Sequence, residues 1–558
     1  MKKKWWIAIL MGLCACFMSL AFAACGGEKE MGQASLIMEL SADESYYIVT
    51  GVENKDCTEI VIPKEYNGKP VKAIGRVAFY DCEDLRSIEI PDSVTSIGNN
   101  AFSGCSGLTS VYITDIKAWC NISFYDVFSN PLYCGEKLYL NNEIVTKLVI
   151  PDSVTSIGHS AFSGCSGLTS IEIPDSVTWI GDYAFYGCGG LTSVTIGNGV
   201  MSIGHEAFRG CSGLTSVAIG NGVTWIGDSA FDACRNLTSI EIPDSVTSIG
   251  DSAFSGCRGL TSVTIADGVT TIGYGAFAHC IGLTDIEIPD SVTSIGDSTF
   301  YVCRNLTSIE IPDSVTSIGD SAFFACSSLR SIEIPDSVTS IGDSAFAHCI
   351  GLTSVTIGDS VTSIGEHAFD FCSGLTSIEI PDSVTSIGGS AFSYCSNLTS
   401  IEIPDSVTSI GDSAFRGCSG LTEMTIPFVG ATKDGTSNAH FGYIFGAYDF
   451  SSNDVSVPSS LKKVTVTGGS IGSYAFHNCS GLTSVTIGDS VTWIGDRAFT
   501  NCSGLTSIVF EDTSTWYRTI SSTDWENKTG GTQTSVTNTA SNATYFKNTY
   551  RIYYWYKL

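Results

Sequence analysis

A repeat of 23 residues runs through most of this chain and constrains its fold more than any other feature. Twelve leucines, from Leu168 to Leu421, follow one another at intervals of 23 residues. An Ala-Phe-x-x-Cys segment recurs 16 times, from Phe79–Cys82 to Phe499–Cys502, and Thr299 replaces the alanine once. A fixed period of this length is typical of proteins in which each unit contacts only its neighbours. The 558 residues therefore predict one long solenoid rather than several globular domains.

A single unit already predicts the shape of one coil. The unit that starts at Leu398 reads LTSIEIPDSVTSIGDSAFRGCSG. Its alternating apolar residues predict a short strand with one buried face, and Pro-Asp-Ser predicts a turn. Val407 and Ile410 begin a second apolar stretch, and Asp412 and Ser413 are expected to cap a short helical turn. The predicted fold is a solenoid with a parallel β-sheet on one side and turns or short helical segments on the other.

The repeat also resembles a known family. The pattern LxxIxIPxxVxxIGxxAFxxCxx is similar to the BspA-like leucine-rich repeat of bacterial surface proteins, and the similarity covers residues 57–510. This resemblance implies a leucine-rich repeat solenoid in a cell-surface or secreted protein used for adherence or for binding host proteins. The family motif carries no catalytic residues. The resemblance therefore implies a non-enzymatic protein that needs no cofactor.

The N-terminus predicts export from the cell. Residues 2–4 are lysines and residues 5–24 are uncharged and mostly apolar, as in a signal peptide over residues 1–24. Cys25 follows two alanines and resembles the lipid-attachment cysteine of bacterial lipoproteins, which would leave 25–34 as a short linker. Simple cleavage and an uncleaved anchor are the alternatives, the latter because the apolar run is long enough to span a bilayer. The predicted location is the bacterial cell surface or the extracellular space, with membrane contact only through a lipid on Cys25.

Four stretches depart from the repeat and are predicted to be caps or insertions. Residues 35–62 are expected to form a hairpin cap over a solenoid that runs through 63–510. The solenoid is interrupted by insertions at 114–147 and 427–460. Residues 511–558 end in an aromatic run and are predicted to cap the last coil. An aromatic platform for stacking sugars is the alternative for this last stretch.

The insertion at 427–460 is the candidate ligand site. Its aromatic residues alternate with glycines, a composition that suits adaptable binding loops. The alternative is a longer coil whose aromatic residues pack onto the stack, and for the insertion at 114–147 packing is the favoured interpretation. The predicted ligand contacts are His440, Phe441, Tyr443, Phe445 and Tyr448.

The 22 cysteines do not predict a disulfide framework. Those of the repeat occupy a core position, where reduced thiols pack as small apolar side chains. Cys120 and Cys134 are the remaining candidates for a pair. CxxC, HExxH and phosphate-binding loop patterns are all missing from the sequence, so neither a metal site nor an enzyme is predicted.

Composition and charge narrow the class of partner. Hydrophobic residues make up 43% of the chain and the net charge is −29, which excludes generic disorder and argues against binding of nucleic acid. Glu287, Glu310 and Glu333 recur on the exposed side of successive strands. They indicate either a solvated face that prevents aggregation or a site for Ca²⁺ or a basic partner.

Together these patterns predict a monomeric bacterial surface protein that binds host matrix proteins, glycans or other cells. A rigid preformed surface would bind through many weak contacts at a low ordering cost. Two alternatives remain from the sequence. One is an envelope spacer without a specific ligand, and the other is a protein that captures glycans or peptides for uptake.

Overall fold

The computed structural model describes residues 35–135, 137–433 and 437–557. The predicted signal peptide over residues 1–24, the lipid site Cys25 and the linker 25–34 lie outside the described residues.

A β-hairpin covers the first coil. Its strands Leu36–Leu40 and Tyr47–Val52 pair antiparallel, and Tyr47–Val52 then pairs in parallel with Lys69–Ile74. This arrangement confirms the predicted hairpin cap. Within the predicted cap segment 35–62, the strand Glu59–Val61 pairs in parallel with Ser87–Ile90 of the next coil.

Each regular coil contributes a long strand, a short strand and a turn that carries Ala-Phe-x-x-Cys. Equivalent strands of neighbouring coils pair in parallel with a register of 23 residues, as Ser170 with Ser193. The fold is therefore the predicted leucine-rich repeat solenoid. The long strands form the face that the Ser-Ile-Glu-Ile pattern predicts, and they are Glu59–Val61, Ser87–Ile90, Ser110–Ile113, Lys137–Leu140, Lys147–Val149, Ser170–Ile173, Ser193–Ile196, Ser216–Ala218, Ser239–Ile242, Ser262–Ile265, Ser331–Ile334, Ser354–Ile357, Ser400–Glu402, Glu423–Ile426, Lys463–Val466, Ser484–Ile487 and Ser507–Phe510.

A second parallel sheet lies beside the first, where the repeat pattern predicted only turns or helical segments. Its strands are too short to show an alternating pattern, since each regular one contains only one exposed or half-buried residue and one buried isoleucine. Their buried residues stack along the solenoid axis, as Ile180 on Ile203. The strands of this short-strand sheet are Lys69–Ile74, Ser96–Ile97, Ser123–Phe124, Ser156–Ile157, Trp179–Ile180, Ser202–Ile203, Trp225–Ile226, Ser248–Ile249, Thr271–Ile272, Ser340–Ile341, Ser363–Ile364, Ser386–Ile387, Ser409–Ile410 and Trp493–Ile494.

The Ala-Phe-x-x-Cys segments are tight turns, and the predicted helical turn at Asp412 and Ser413 is wrong. Ser413 has a φ of 60°, in the left-handed region, whereas a helix cap needs extended backbone. The aspartate before this serine links coils in the regular repeats. The Asp297 carboxylate Oδ1 accepts a hydrogen bond from the backbone N–H of Asp320, one coil further on, at 2.8 Å.

The core is a stack of phenylalanine rings along the solenoid axis. From Phe162 to Phe415 neighbouring ring centroids are 5.1–5.9 Å apart. The rings are fully buried, and Phe254 is one of them. Since every ring packs on the ring before and after it, each coil is stabilised by its neighbours rather than by itself.

The repeat cysteines line the same core as free thiols. The Sγ of Cys257 donates to the carbonyl oxygen of Phe231 at 3.2 Å, and this contact recurs from coil to coil. Burial raises the pKa of Cys349 to about 12, so the reactive thiolate is scarce at neutral pH. All cysteines of the described residues are unpaired, including Cys120 and Cys134. The cysteines of the repeat therefore act as packing residues.

Between residues 191 and 425, the interruptions of the long-strand sheet coincide with prolines. In coils without proline, the residue after the strand donates to the preceding coil, as Gly197 N–H does to the Ile173 carbonyl at 2.9 Å. Proline has no N–H and removes this bond. Between residues 191 and 425, every interruption of regular pairing lies before a coil whose strand is followed by proline. The prolines that follow these strands are Pro243, Pro289, Pro312, Pro335, Pro381 and Pro404.

The aromatic C-terminal segment caps the last coil, as predicted. Tyr554–Lys557 pairs antiparallel with Trp493–Ile494 and with Trp516–Thr519. The Phe546 ring packs on Phe499, the last ring of the phenylalanine stack, at 5.6 Å between centroids. Trp555 is fully buried. A buried aromatic cluster favours the cap over a sugar-stacking platform, because sugar stacking needs exposed ring faces.

The remaining elements are short. None of the helices in the described part of the chain has the length and apolar character of a membrane span. Three further short strands each pair with a neighbouring strand that is already named. They are Glu65–Tyr66, Glu143–Ile144 and Thr532–Thr534. The helical segments are Ile116–Cys120, Val127–Ser129, Pro131–Tyr133, Phe441–Phe445, Phe450–Ser452, Asn453–Ser456, Ser522–Glu526, Thr539–Thr544 and Tyr545–Thr549.

Candidate binding surface

The insertion at 427–460 is one enlarged coil of the solenoid. Glu423 pairs with Lys463 in the long-strand sheet, so the chain leaves and rejoins the stack in register. Their side chains also form an ion pair, with 2.7 Å between Lys463 Nζ and Glu423 Oε1. The extra residues fold outside this register into three short helical segments between Phe441 and Ser456.

Two of the predicted ligand contacts lie in the core. Phe441 and Phe445 are buried, and their ring centroids are 5.3 Å apart. Phe445 packs against Phe415 at 6.4 Å, and Phe441 packs against Phe476 at 4.8 Å. These two side chains therefore continue the phenylalanine stack across the insertion. Phe441 has no exposed surface, and Phe445 keeps only 2% of its surface exposed.

A third predicted contact, His440, is a structural residue in this conformation. Its Nδ1 lies 3.2 Å from the Oδ1 of the fully buried Asn453. The same Oδ1 accepts the Gly442 N–H at 3.0 Å, and the Asn453 Nδ2 donates to the His477 carbonyl at 2.9 Å. Burial lowers the pKa of His440, so the neutral ring is favoured. The asparagine ties the insertion to the following coil.

The other two predicted contacts reach the surface. Tyr443 is half-buried, and burial raises the pKa of its hydroxyl. Tyr448 is 95% exposed. Val455, in the same insertion, is 81% exposed although it is apolar. The structure therefore does not gather the five predicted residues at one point: three belong to the core, and Tyr443 and Tyr448 face outward.

A cleft of about 490 Å³ separates the insertion from the neighbouring turns. Tyr394 and Arg416 of the regular coils line it together with Phe445, Gly446 and Val455 of the insertion. Ser419, Ser456 and Ser459 add hydroxyl groups. The walls combine apolar surface with one cation, which suits a ligand that carries both apolar and acidic groups.

Tyr394 and Val455 are candidate contact residues that the sequence analysis did not single out. Val455 stands alone in a polar stretch, so no local pattern marks it. Tyr394 does follow a pattern, because it lies two residues after a phenylalanine of the core stack, where six other coils have glycine. Alignment of the coils by their cysteines would reveal it.

The insertion at 114–147 packs onto the stack. Trp119, on the helix Ile116–Cys120, is buried, and its Nε1 donates to the Ala161 carbonyl at 2.7 Å. Asn130 is also buried, and its Nδ2 donates to the same carbonyl at 3.0 Å. These contacts join the insertion to the next regular coil and favour the packing interpretation.

The acidic strand face carries no metal-binding cluster among the described residues. Glu287 and Glu310 are exposed in neighbouring coils and share only a single bridge. Their like charges repel at the spacing of adjacent strands. This geometry favours the solvated-face interpretation.

The fold and the exposed surface define the class of protein. It is a parallel solenoid of leucine-rich repeats with capped ends, a buried aromatic stack and an exposed insertion.

Comparison with known proteins places the chain within this class. It belongs to the family described as BspA type Leucine rich repeat region, which matches residues 52–130, 133–261, 224–353, 339–432 and 445–553. BspA-like leucine-rich repeat proteins are bacterial surface proteins.

Two solved structures are similar to this chain. A leucine-rich repeat protein from Bacteroides ovatus is 30% identical, covers 72% of this chain and 95% of its own, and has a TM-score of 0.53. A leucine-rich cell surface protein from Faecalibacterium prausnitzii is 31% identical, covers 70% of this chain and 94% of its own, and has a TM-score of 0.41. No curated protein matches the chain.

Proposed function

We propose that this protein is a non-enzymatic adhesion or ligand-binding protein of the bacterial surface. Its partners would be host matrix proteins, glycans or other cells. The observation that carries the proposal is the enlarged coil at 427–460, which exposes Tyr448 and Val455; Val455 also lines a cleft of about 490 Å³. Exposed apolar side chains around a concave surface are typical of binding sites.

The way the insertion is anchored supports this proposal. Phe441 and Phe445 join the core, and Asn453 fixes the loop to the next coil. The exposed residues are thereby held on a rigid support. A preformed surface loses little conformational entropy on binding, so many weak contacts can add up to a useful affinity.

Binding of the purified protein to a panel of host matrix proteins and glycans tests this function. Wild type is expected to bind at least one member saturably. The double variant Tyr448→Ser, Val455→Ser is expected to bind about tenfold more weakly or worse, because it removes exposed apolar contacts. The matched control is Ile520→Ser, Ile552→Ser, which removes exposed apolar residues from the C-terminal cap.

Equal loss of binding in both variants would show that binding is nonspecific. Binding that neither variant changes would exclude the insertion as the site. Folded wild-type protein that binds no member of the panel would favour the envelope spacer.

We also propose that the protein is held at the membrane by a lipid on Cys25, after removal of residues 1–24. The cysteine follows Ala23 and Ala24, as in bacterial lipoproteins. Metabolic labelling of expressing bacteria with a fatty-acid analogue is expected to mark wild type and not Cys25→Ser. Control labelling of a Cys16→Ser variant should equal wild type. Equal labelling of wild type and Cys25→Ser would contradict the anchor.

A further inference from the structure

A second line of aromatic rings runs along the outside of the turns. Neighbouring ring centroids are 4.5–5.4 Å apart, and the five steps span about 25 Å. The line ends at Tyr394, which also lines the cleft of the insertion. This surface aromatic ladder consists of His279, Tyr301, Phe324, His348, Phe371 and Tyr394.

The ladder is aromatic and partly exposed: His279, Phe371 and Tyr394 are exposed, and the other three members are half-buried. Phe371 is 37% and Tyr394 is 38% exposed, and Ile350, whose backbone N–H donates to the His348 carbonyl, is 53% exposed. The Phe371 ring stacks on His348 at 4.7 Å and on Tyr394 at 4.5 Å, with planes within 14° of parallel. Contiguous exposed apolar surface of this kind marks interaction sites in soluble proteins.

The backbone at four of the six ladder positions, those of His279, His348, Phe371 and Tyr394, does not require an aromatic side chain. Residues two positions after each core phenylalanine have positive φ in every described coil, and six coils have glycine there. Glycine adopts this conformation without strain, whereas His348, Phe371 and Tyr394 adopt it with φ of 61°, 57° and 55°. The turn therefore accepts glycine at this position, and a large residue there exposes apolar surface.

The charge of the ladder differs from that of the whole chain. Three positions of the repeat surround the ladder. They are the first and second residues after each core phenylalanine and the first residue after each repeat cysteine. Between residues 278 and 419 the only acidic residue at these three positions is Asp370. It is buried, and its Oδ2 lies 3.2 Å from the Nδ1 of His367. Arg304 and Arg416 also occupy these positions of the repeat, and neither has an ion-pair partner within the described residues. In a chain of net charge −29, this strip is apolar and cationic.

From this geometry we infer that the surface aromatic ladder binds an extended polypeptide segment of a partner protein that carries both apolar and acidic side chains. The inference rests on the proposed binding function and names the class of partner. About seven residues of extended chain cover 25 Å. Apolar side chains of the segment contact the ring edges and Ile350, and its carboxylates pair with Arg304 and Arg416.

The stacking geometry favours a polypeptide over a sugar. Three of the five steps are stacked, Tyr301 on Phe324, His348 on Phe371 and Phe371 on Tyr394, and there the rings cover one another's faces. The other two steps are edge to face. Sugar rings stack on exposed aromatic faces, and the stacked steps cover theirs. Ring edges carry the positive end of the aromatic quadrupole, which suits a partner rich in carboxylates.

Selection of phage-displayed random peptides on the purified protein tests the inference. Enriched peptides are expected to combine Phe, Leu or Tyr with Asp or Glu. A synthetic copy of the commonest peptide, titrated by fluorescence anisotropy, is expected to bind about tenfold more weakly or worse to His348→Gly, Phe371→Gly, Tyr394→Gly. Arg304→Ser, Arg416→Ser is expected to weaken binding similarly and to reduce its dependence on salt.

Matched controls separate the ladder from folding and from net charge. Ala233→Gly makes the same kind of change at the equivalent position of a coil outside the ladder. Arg86→Ser, Arg235→Ser removes the same charge elsewhere. Both controls are expected to bind as wild type does. The glycine variants are expected to keep their urea midpoint, since glycine already occupies this position in six coils.

Three results would overturn the inference. The first is selection of no peptide with saturable affinity, and the second is peptide binding that the ladder variants do not weaken. The third is binding of heparin, in place of peptides, that is lost in the ladder variants; this would identify an anionic glycan as the ligand. If panel members bind through Tyr448 and Val455 alone, the proposed function holds and the ladder inference fails. If peptides bind the ladder but no panel member binds, the ladder inference holds and the proposed function fails.

Discussion

Replacing Phe254 by alanine is expected to lower the free energy of unfolding by about 3–5 kcal/mol. The ring is fully buried between Phe231 at 5.4 Å and Phe277 at 5.5 Å. Its removal leaves a cavity that both neighbouring coils must line, and the parallel strands on either side hold those coils in register, so the cavity cannot easily collapse. The urea midpoint, followed by circular dichroism, should fall accordingly.

The effect should begin locally. Each coil is stabilised by its neighbours, so hydrogen exchange should show the coils around Phe254 opening before the ends of the solenoid. The control Arg258→Ala changes an exposed residue of the same coil and should alter stability by less than about 0.5 kcal/mol. An unchanged midpoint for Phe254→Ala would show that the phenylalanine stack does not stabilise the fold.

Replacing Phe441 by alanine is expected to cost about as much, 3–5 kcal/mol. This ring joins the insertion to the main stack, since it contacts Phe445 at 5.3 Å and Phe476 at 4.8 Å. The result separates the two interpretations of the insertion. A packed coil predicts lost stability, whereas a pure ligand contact predicts lost binding with stability unchanged.

Tyr448→Ser is the matched comparison within the same insertion. Its side chain is almost wholly exposed, so its urea midpoint should stay within experimental error of wild type. A midpoint for Phe441→Ala equal to that of Tyr448→Ser would contradict the placement of Phe441 in the core. The measurement is a urea titration of the three proteins under identical conditions.

The fold could be predicted from the sequence because the period repeats the same physical requirement many times. Leu398, Ile401 and Ile403 alternate, and Phe415 and Cys418 recur with them, so the buried positions are visible without a structure. The short-strand sheet was missed because a strand such as Ser409–Ile410 has too few residues to show a period. The helical turn was wrongly predicted because Asp and Ser favour both helix caps and tight turns.

The candidate site could be predicted only in part. The aromatic residues of the insertion are conspicuous in the sequence, but composition does not distinguish Phe441, which continues the core, from Tyr448, which faces solvent. Burial there depends on where the coil rejoins the stack, at Lys463. The surface aromatic ladder was missed for a related reason. Its members lie about 23 residues apart and occupy two different positions of the repeat, one or two residues after the core phenylalanine, so no local motif connects Phe324 with His348.

The most direct test of the account is binding of one panel member by three purified proteins under the same conditions. They are wild type, Tyr448→Ser with Val455→Ser, and His348→Gly with Phe371→Gly and Tyr394→Gly. The account predicts saturable binding by wild type and about tenfold weaker binding, or worse, in at least one surface variant, with urea midpoints unchanged. Folded wild-type protein that binds no matrix protein, glycan or cell surface would contradict a binding function and leave a structural spacer.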